Sequence, residues 1–213
     1  MYDEMLNKSG KKSNEVYRKL YSWLHDQNSS VLLKQSNKAE ELFRKVGITF
    51  NVYENDKAEE RLIPFDLIPR IIEKKEWDFV KKGIAQRLKA LNLFLKDIYF
   101  DQKIIKDGVI PSKLINNNSA FKPQMCGFDP PGGIYIHVSG VDLIRTSKKN
   151  FYVLEDNLRV PSGSSYMIEN RSTMMHMFPE LFTKYNVKNV YDYPDQLLKS
   201  LKKCSGNLSH TAN

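Results

Sequence analysis

IYIHVSGVDLIRTSKKNFYVLEDNLRV, residues 134–160, is the stretch whose reading decides the fold. Two runs of apolar, β-branched and aromatic residues, 134–144 and 151–158, flank the polar turn 146–150, which is how a long β-hairpin looks in sequence. Side chains alternate along a strand, so Glu155 and Asn157 share one face and Asp156 takes the other. With the turn centred near 147–149, Asp142 lies opposite or nearly opposite Glu155, close enough to share an ion. Two carboxylates and an amide carbonyl on one face form a set of hard oxygen ligands, suited to Mg²⁺ carried in by a nucleotide phosphate. The plainer alternative is a solvated strand face whose acids pair with lysines.

Outward from the hairpin, residues 13–47 read as two helices, with apolar positions at Val16, Leu20, Trp23 and Leu24, then Leu32, Leu33, Ala39, Leu42, Phe43 and Val46. Ser29 or Ser30 suits the cap between them, and Gly47 follows the second. ITFNVY (48–53) alternates as a strand, and the proline-punctuated LIPFDLIPRII (62–72) allows only short strands or edges. The clearest helix covers 76–99, where Trp77, Val80, Ile84, Leu88, Leu91, Leu95 and Ile98 recur at three- and four-residue intervals. Its Gln86, Arg87, Asn92 and Asp97 are by default outer-face residues. DPPGG (129–133) is followed neither by Gly-Lys-Ser/Thr nor by a helix, so it reads as a plain loop rather than a phosphate cradle. His137, inside the first hairpin run, reads as a packed or hydrogen-bonded side chain more readily than as a base. The expected fold class is α+β, helices packed on a mixed or antiparallel sheet. Its expected parts are a helical segment 1–47, an α+β part 48–204 and a flexible tail 205–213.

Composition narrows the function classes. At 213 residues with 41% apolar content, the chain can bury one core and a small second one. The N-terminus lacks a signal-peptide pattern and no run of 18 apolar residues occurs, so no membrane role is expected and the cytoplasm is the expected location. A net charge of +8 permits an anionic partner, but the lysines are spread over helix faces with no aromatic-interleaved basic stripe, which disfavours nucleic acid. Cys126 and Cys204 stand far apart without a zinc-like spacing and read as two reduced thiols.

The segment VDLIRTSKKNFYVLEDNLRVPSG (141–163) resembles the last two core strands of ATP-grasp ligases, an Asp on one strand and Glu-x-Asn on the next. The likeness extends through GITFNVY, ERLIPFDLIPRII, QRLKALNLFLKDIY, DGVIP, GIYIHVSGVDL, VLEDNLRVPSGSSYMIENR and FPELF, in that order. These blocks resemble the opening half of the circularly permuted, glutathionylspermidine-synthase-like ATP-grasp proteins, across nearly the whole chain. Two departures are mild: Val16 stands before Tyr17 where relatives tend to carry His, and Lys149-Asn150 fill the turn where they tend to carry an acid and Gly.

The resemblance implies that Asp142, Glu155 and Asn157 hold Mg²⁺ and that Arg159 contacts phosphate or acyl-phosphate oxygens. It also implies that the turn with Ser162 and Gly163 approaches the nucleotide and acceptor substrate. The activity implied is ATP-dependent joining of a carboxylate, small or peptidic, to an amine through an acyl phosphate. Because the nucleotide-clamping lobe belongs to the family's second half, Mg²⁺ and ATP are expected to bind only weakly here. The chain is expected to be inactive alone and to pair with a separately encoded second half. LKKCSGNLSHTAN (201–213), passing from amphipathic helix to polar tail, suits a truncation or a domain boundary. The alternative is a non-catalytic module with a vestigial site that binds another protein.

Overall fold

The computed structural model describes residues 2–6, 15–54, 57–148 and 150–205. In chain order its elements are α1 (Arg18–His25), α2 (Ser29–Val46), β1 (Thr49–Glu54), β2 (Lys57–Leu62), α3 (Lys74–Tyr99), α4 (Lys103–Lys106) and α5 (Ser112–Asn116). There follow β3 (Gly140–Arg145), β4 (Phe151–Asn157), α6 (Ser164–Met177), α7 (Pro179–Lys184) and α8 (Tyr193–Cys204). The α+β class is as expected. Two compact units divide the chain: Met1–Lys74, Arg145–Phe151 and Ser162–Tyr191 contribute to the first, Lys75–Ile144, Tyr152–Pro161 and Asp192–Asn213 to the second. The expected tail lies outside the described residues beyond Ser205, as do residues 13 and 14 of the first expected helix.

In the first unit the two N-terminal helices form where the apolar spacing puts them. The cap of α2 is Asn28, one residue before the serines: its backbone is extended and its side chain accepts the Ser30 N–H at 2.9 Å, whereas both serines are already helical. Gly47 ends α2 in the left-handed region, φ 74°, which a residue without Cβ reaches at little cost. β1 then pairs antiparallel with β2, Thr49 opposite Leu62 and Glu54 opposite Lys57.

The short strands expected at 62–72 do not form: Leu62 closes β2, and 63–73 run without regular structure. Pro64 and Pro69 supply no ladder donor. Phe65, Leu67 and Ile71 pack on the core instead, and the Ile71 N–H finds its acceptor in the Tyr17 hydroxyl at 2.9 Å. That core joins Tyr17, Leu20, Trp23 and Ala39 to Met174, Met177, Phe178 and Leu181 of the α6–α7 region. Trp23 meets Phe178 edge-on, ring centres 5.0 Å apart, and its Nε1–H donates to Glu180 at 3.0 Å. The Tyr185 hydroxyl accepts the Leu20 N–H and donates to the Val16 carbonyl, both at 2.9 Å.

The second unit is built along α3, which begins two residues before the expected start and ends where expected. Val80 and Ile98 are buried and Ile84, Leu88, Leu91 and Leu95 half-buried, the stripe the spacing predicts, although Trp77 stays 41% exposed. Asp97 does not face outward freely: its two carboxylate oxygens accept the Lys103 and Ile104 N–H groups at 2.9 and 3.0 Å and start α4. These backbone donors hold its carboxyl below the usual carboxylate range. No helix among the described residues is long and apolar enough to cross a membrane.

The hairpin forms with its turn where predicted, closed by Thr146 N–H donating to the Asn150 carbonyl at 3.2 Å. Strands joined by so short a loop run antiparallel. The first strand, however, starts at Gly140 rather than 134. Residues opposite 134–139 would have to come from beyond Asn157, where Arg159 bends the chain and Pro161 has no N–H to give. Within this run the Tyr135 and Ile136 N–H groups go instead to the Asn92 side chain of α3.

Candidate functional site

The hairpin carries the candidate ligands, and three contacts fix its ligand-bearing part, 140–144 and 152–157, within the second unit. Arg87 of α3 grips Asp156 of β4 in a two-pronged pair, Nε at 2.8 Å and Nη2 at 2.6 Å from the carboxylate oxygens. Asn92 donates to the Gly133 carbonyl at 2.7 Å and accepts the Tyr135 N–H at 2.8 Å, fastening the segment that leads into β3. Gly140 permits the third: a Cβ there would come 2.9 Å from the Pro161 Cβ and 3.7 Å from that of Asn157. Any larger residue would push the chain after β4 away from the start of β3.

Asp156 therefore points to the helix side of the hairpin, as alternation predicts, and the opposite face is left to the candidate ligands. Asn92 is half-buried rather than the outer-face residue expected by default, and Arg87, although exposed as expected, is paired with the hairpin. They are the residues by which α3 orients the strands. Arg87 holds the Asp156 carboxyl below the usual carboxylate range, chiefly through its hydrogen bonds and then through its charge. A carboxylate depressed in the folded state contributes stability above its unfolded value, near about pH 3.9, and loses it as pH falls through the lower folded value. Arg87→Met should remove that component: plotted as Tm from pH 5 down to 2, the variant should fall less steeply than the parent, the remainder reflecting Asp97. Parallel curves would deny the pair this role.

Asp142, on β3, is exposed, and its Oδ2 accepts a hydrogen bond from Asn157 Nδ2 at 3.4 Å across the hairpin. Glu155 is exposed on the same strand as Asn157, and its side chain makes no hydrogen bond or ion pair with the described residues. Along β4 exposure alternates through Leu154, Glu155 is exposed as well, and Asp156 and Asn157 are half-buried. Two of the three predicted ligands are thus brought together directly, and the third stands two residues along on the neighbouring strand. Arg159 is exposed in the bend after β4, in the second unit. Ser162 and Gly163 belong to the first unit, where Gly163, φ 97°, begins α6.

The donor set is chemically suited to a hard divalent cation. Asp142 and Glu155 offer carboxylate oxygens to solvent, and the Asn157 amide already sets a partial positive charge against Asp142, where a cation would neutralise it better. Among the described residues no three His, Cys, Asp or Glu side chains gather into a cage, so a cation here would rely on the amide oxygen and on oxygens brought by a ligand. The glycines 132 and 133, both with positive φ, form a turn whose Gly133 carbonyl is taken by Asn92, in keeping with a loop role.

A profile described as "A circularly permuted ATPgrasp" matches residues 69–212. An uncharacterised Synechocystis protein is 41% identical over 200 residues, covering 94% of this chain and 41% of its own length. One from Mycobacterium leprae is 44% identical over 201 residues, covering 94% and 35%. A Frankia alni protein named "Putative glutamate--cysteine ligase 2-3" is 34% identical over 182 residues, covering 84% and 20%. The chain thus spans about two fifths, or less, of the length of the curated relatives it matches.

Proposed function

Because this chain belongs to the circularly permuted ATP-grasp family, we propose that it carries the Mg²⁺-ligand strands of an ATP-dependent ligase that joins a carboxylate to an amine. The observation that carries the reading is the meeting of Asp142 and Asn157 across the hairpin, with Glu155 exposed two residues along. Asp142, Glu155 and Asn157 would hold the cation. The ligase name of the Frankia relative is of the same reaction class.

In this reading the substrate carboxylate attacks the γ-phosphorus of ATP, ADP leaves, and the acyl phosphate formed is captured by an amine that expels phosphate and leaves an amide. Mg²⁺ supplies neutralisation of the phosphate charge and orientation of the phosphates. The Arg159 guanidinium, exposed and in no ion pair with the described residues, is available for bidentate recognition of phosphate oxygens. Ser162 and Gly163, the two residues before α6, would contact the nucleotide. The closing lobe is supplied by the remaining length of the family, in one polypeptide or as a separate chain, and the protein works in the cytoplasm. The carboxylate and amine substrates are small molecules or peptide ends.

Mn²⁺, which replaces Mg²⁺ among oxygen ligands, tests the ligand set without turnover. Titrated into isotope-labelled chain, it should broaden the amide signals around Asp142, Glu155 and Asn157 first, and Asp142→Asn should weaken the effect there. Broadening centred elsewhere, or unchanged in the variant, would remove the assignment.

A further inference from the structure

We propose that Cys204 is a site of reversible thiol modification by low-molecular-weight disulfides, with His137 as its base. The two residues lie 67 positions apart and meet within the second unit. Cys204 closes α8, and His137 stands in the irregular segment between the turn Pro131–Gly133 and β3. Its Sγ is 2.9 Å from His137 Nδ1 and 3.1 Å from the Ser200 carbonyl oxygen.

A nucleophile and a base within hydrogen-bond reach form the pair that activates a thiol. Here the base is held in place: Asn92 accepts the Tyr135 and Ile136 N–H groups, so the backbone carrying His137 is tied to α3. With Nε2 protonated, Nδ1 accepts the thiol proton. His137 is exposed and Cys204 half-buried, so a small reagent reaches the sulfur. Lys202 and Lys203 in the same helical turn favour an anionic one.

The step is a thiol–disulfide exchange. Cys204 sulfur attacks one sulfur of the disulfide and a new S–S bond forms. The old S–S bond breaks, its electron pair leaves with the departing thiolate, and the Cys204 proton passes to His137. The disulfide is the oxidant, and a free thiol reverses the reaction.

Cys126, exposed and bonded to no side-chain base among the described residues, is an internal control. Exposure alone makes Cys126 the faster thiol. The proposal reverses the order. With dithiobisnitrobenzoate in limiting amount and peptide mass spectrometry as readout, Cys204 should be modified at least about ten-fold faster than Cys126, a modest share of what a positioned base supplies. His137→Gln should bring Cys204 to the rate of Cys126 or below while the Cys126 rate and the far-ultraviolet circular dichroism spectrum, which reports an intact fold, stay the same. Faster reaction at Cys126 in the unsubstituted chain, or a Cys204 rate that His137→Gln leaves unchanged, would overturn the assignment.

Discussion

Trp23→Ala is expected to destabilise the first unit by about 3–5 kcal/mol, the usual cost of emptying a large aromatic site in a packed core. Trp23 is 5% exposed, meets Phe178 edge-on and donates to Glu180, so truncation leaves a cavity and an acceptor without its partner. Little in the surroundings can collapse into the space, because Leu20 and Ala39 beside it are fully buried and α6 and α7 are held by Met174, Met177 and Leu181. Urea unfolding followed by far-ultraviolet circular dichroism measures it, since fluorescence would lose its reporter. A loss below about 1 kcal/mol would mean that the α1–α7 contact is not a core in the sense of native packing density.

The second large effect concerns chemistry. When the chain is completed by the rest of the family's length, Glu155→Gln or Asp142→Asn should lower ATP-dependent amide formation by at least about 100-fold, since disturbing even outer-shell partners of a metal costs 10–100-fold. Both side chains are exposed, so the unfolding free energy should move by no more than about 0.5 kcal/mol. Activity loss without stability loss separates a ligand from a packing residue. Turnover unchanged in both variants would assign the hairpin acids to a solvated strand face.

Local signals carried much of this architecture. The helices at 18–25, 29–46 and 74–99 follow from apolar spacing and from Gly47, because a stripe of period 3.6 needs no knowledge of what covers it. The turn of the hairpin and the opposite facing of Asp156 and Asn157 follow from alternation in the same way. What escaped depended on partners distant in sequence. The run 134–139 has strand composition but no strand to pair with among the described residues, and two of its N–H groups, of Tyr135 and Ile136, go to Asn92, 43 residues away from Tyr135. Arg87 and Asp156 are 69 residues apart. A signal existed, because a carboxylate on the covered face of a strand needs a cation, and α3 carries arginine, but several lysines competed for the part.

α6 escaped for another reason. Met167, Ile168, Met174, Met175 and Met177 are spread round its circumference and leave no apolar stripe for periodicity to detect. The two successive exposed residues Leu154 and Glu155 also fall outside a period-two reading, which assumes that alternation is unbroken.

The central claim, that these strands supply half of a nucleotide site, is tested most directly by calorimetry of the purified 213-residue chain with ATP and Mg²⁺. Phosphate contacts made through an exposed cation lack the water-excluding closure that strengthens them. The expected dissociation constant is no tighter than about 1 mM, or roughly 4 kcal/mol of binding free energy, with no phosphate released. Micromolar binding or turnover by this chain alone would contradict the claim.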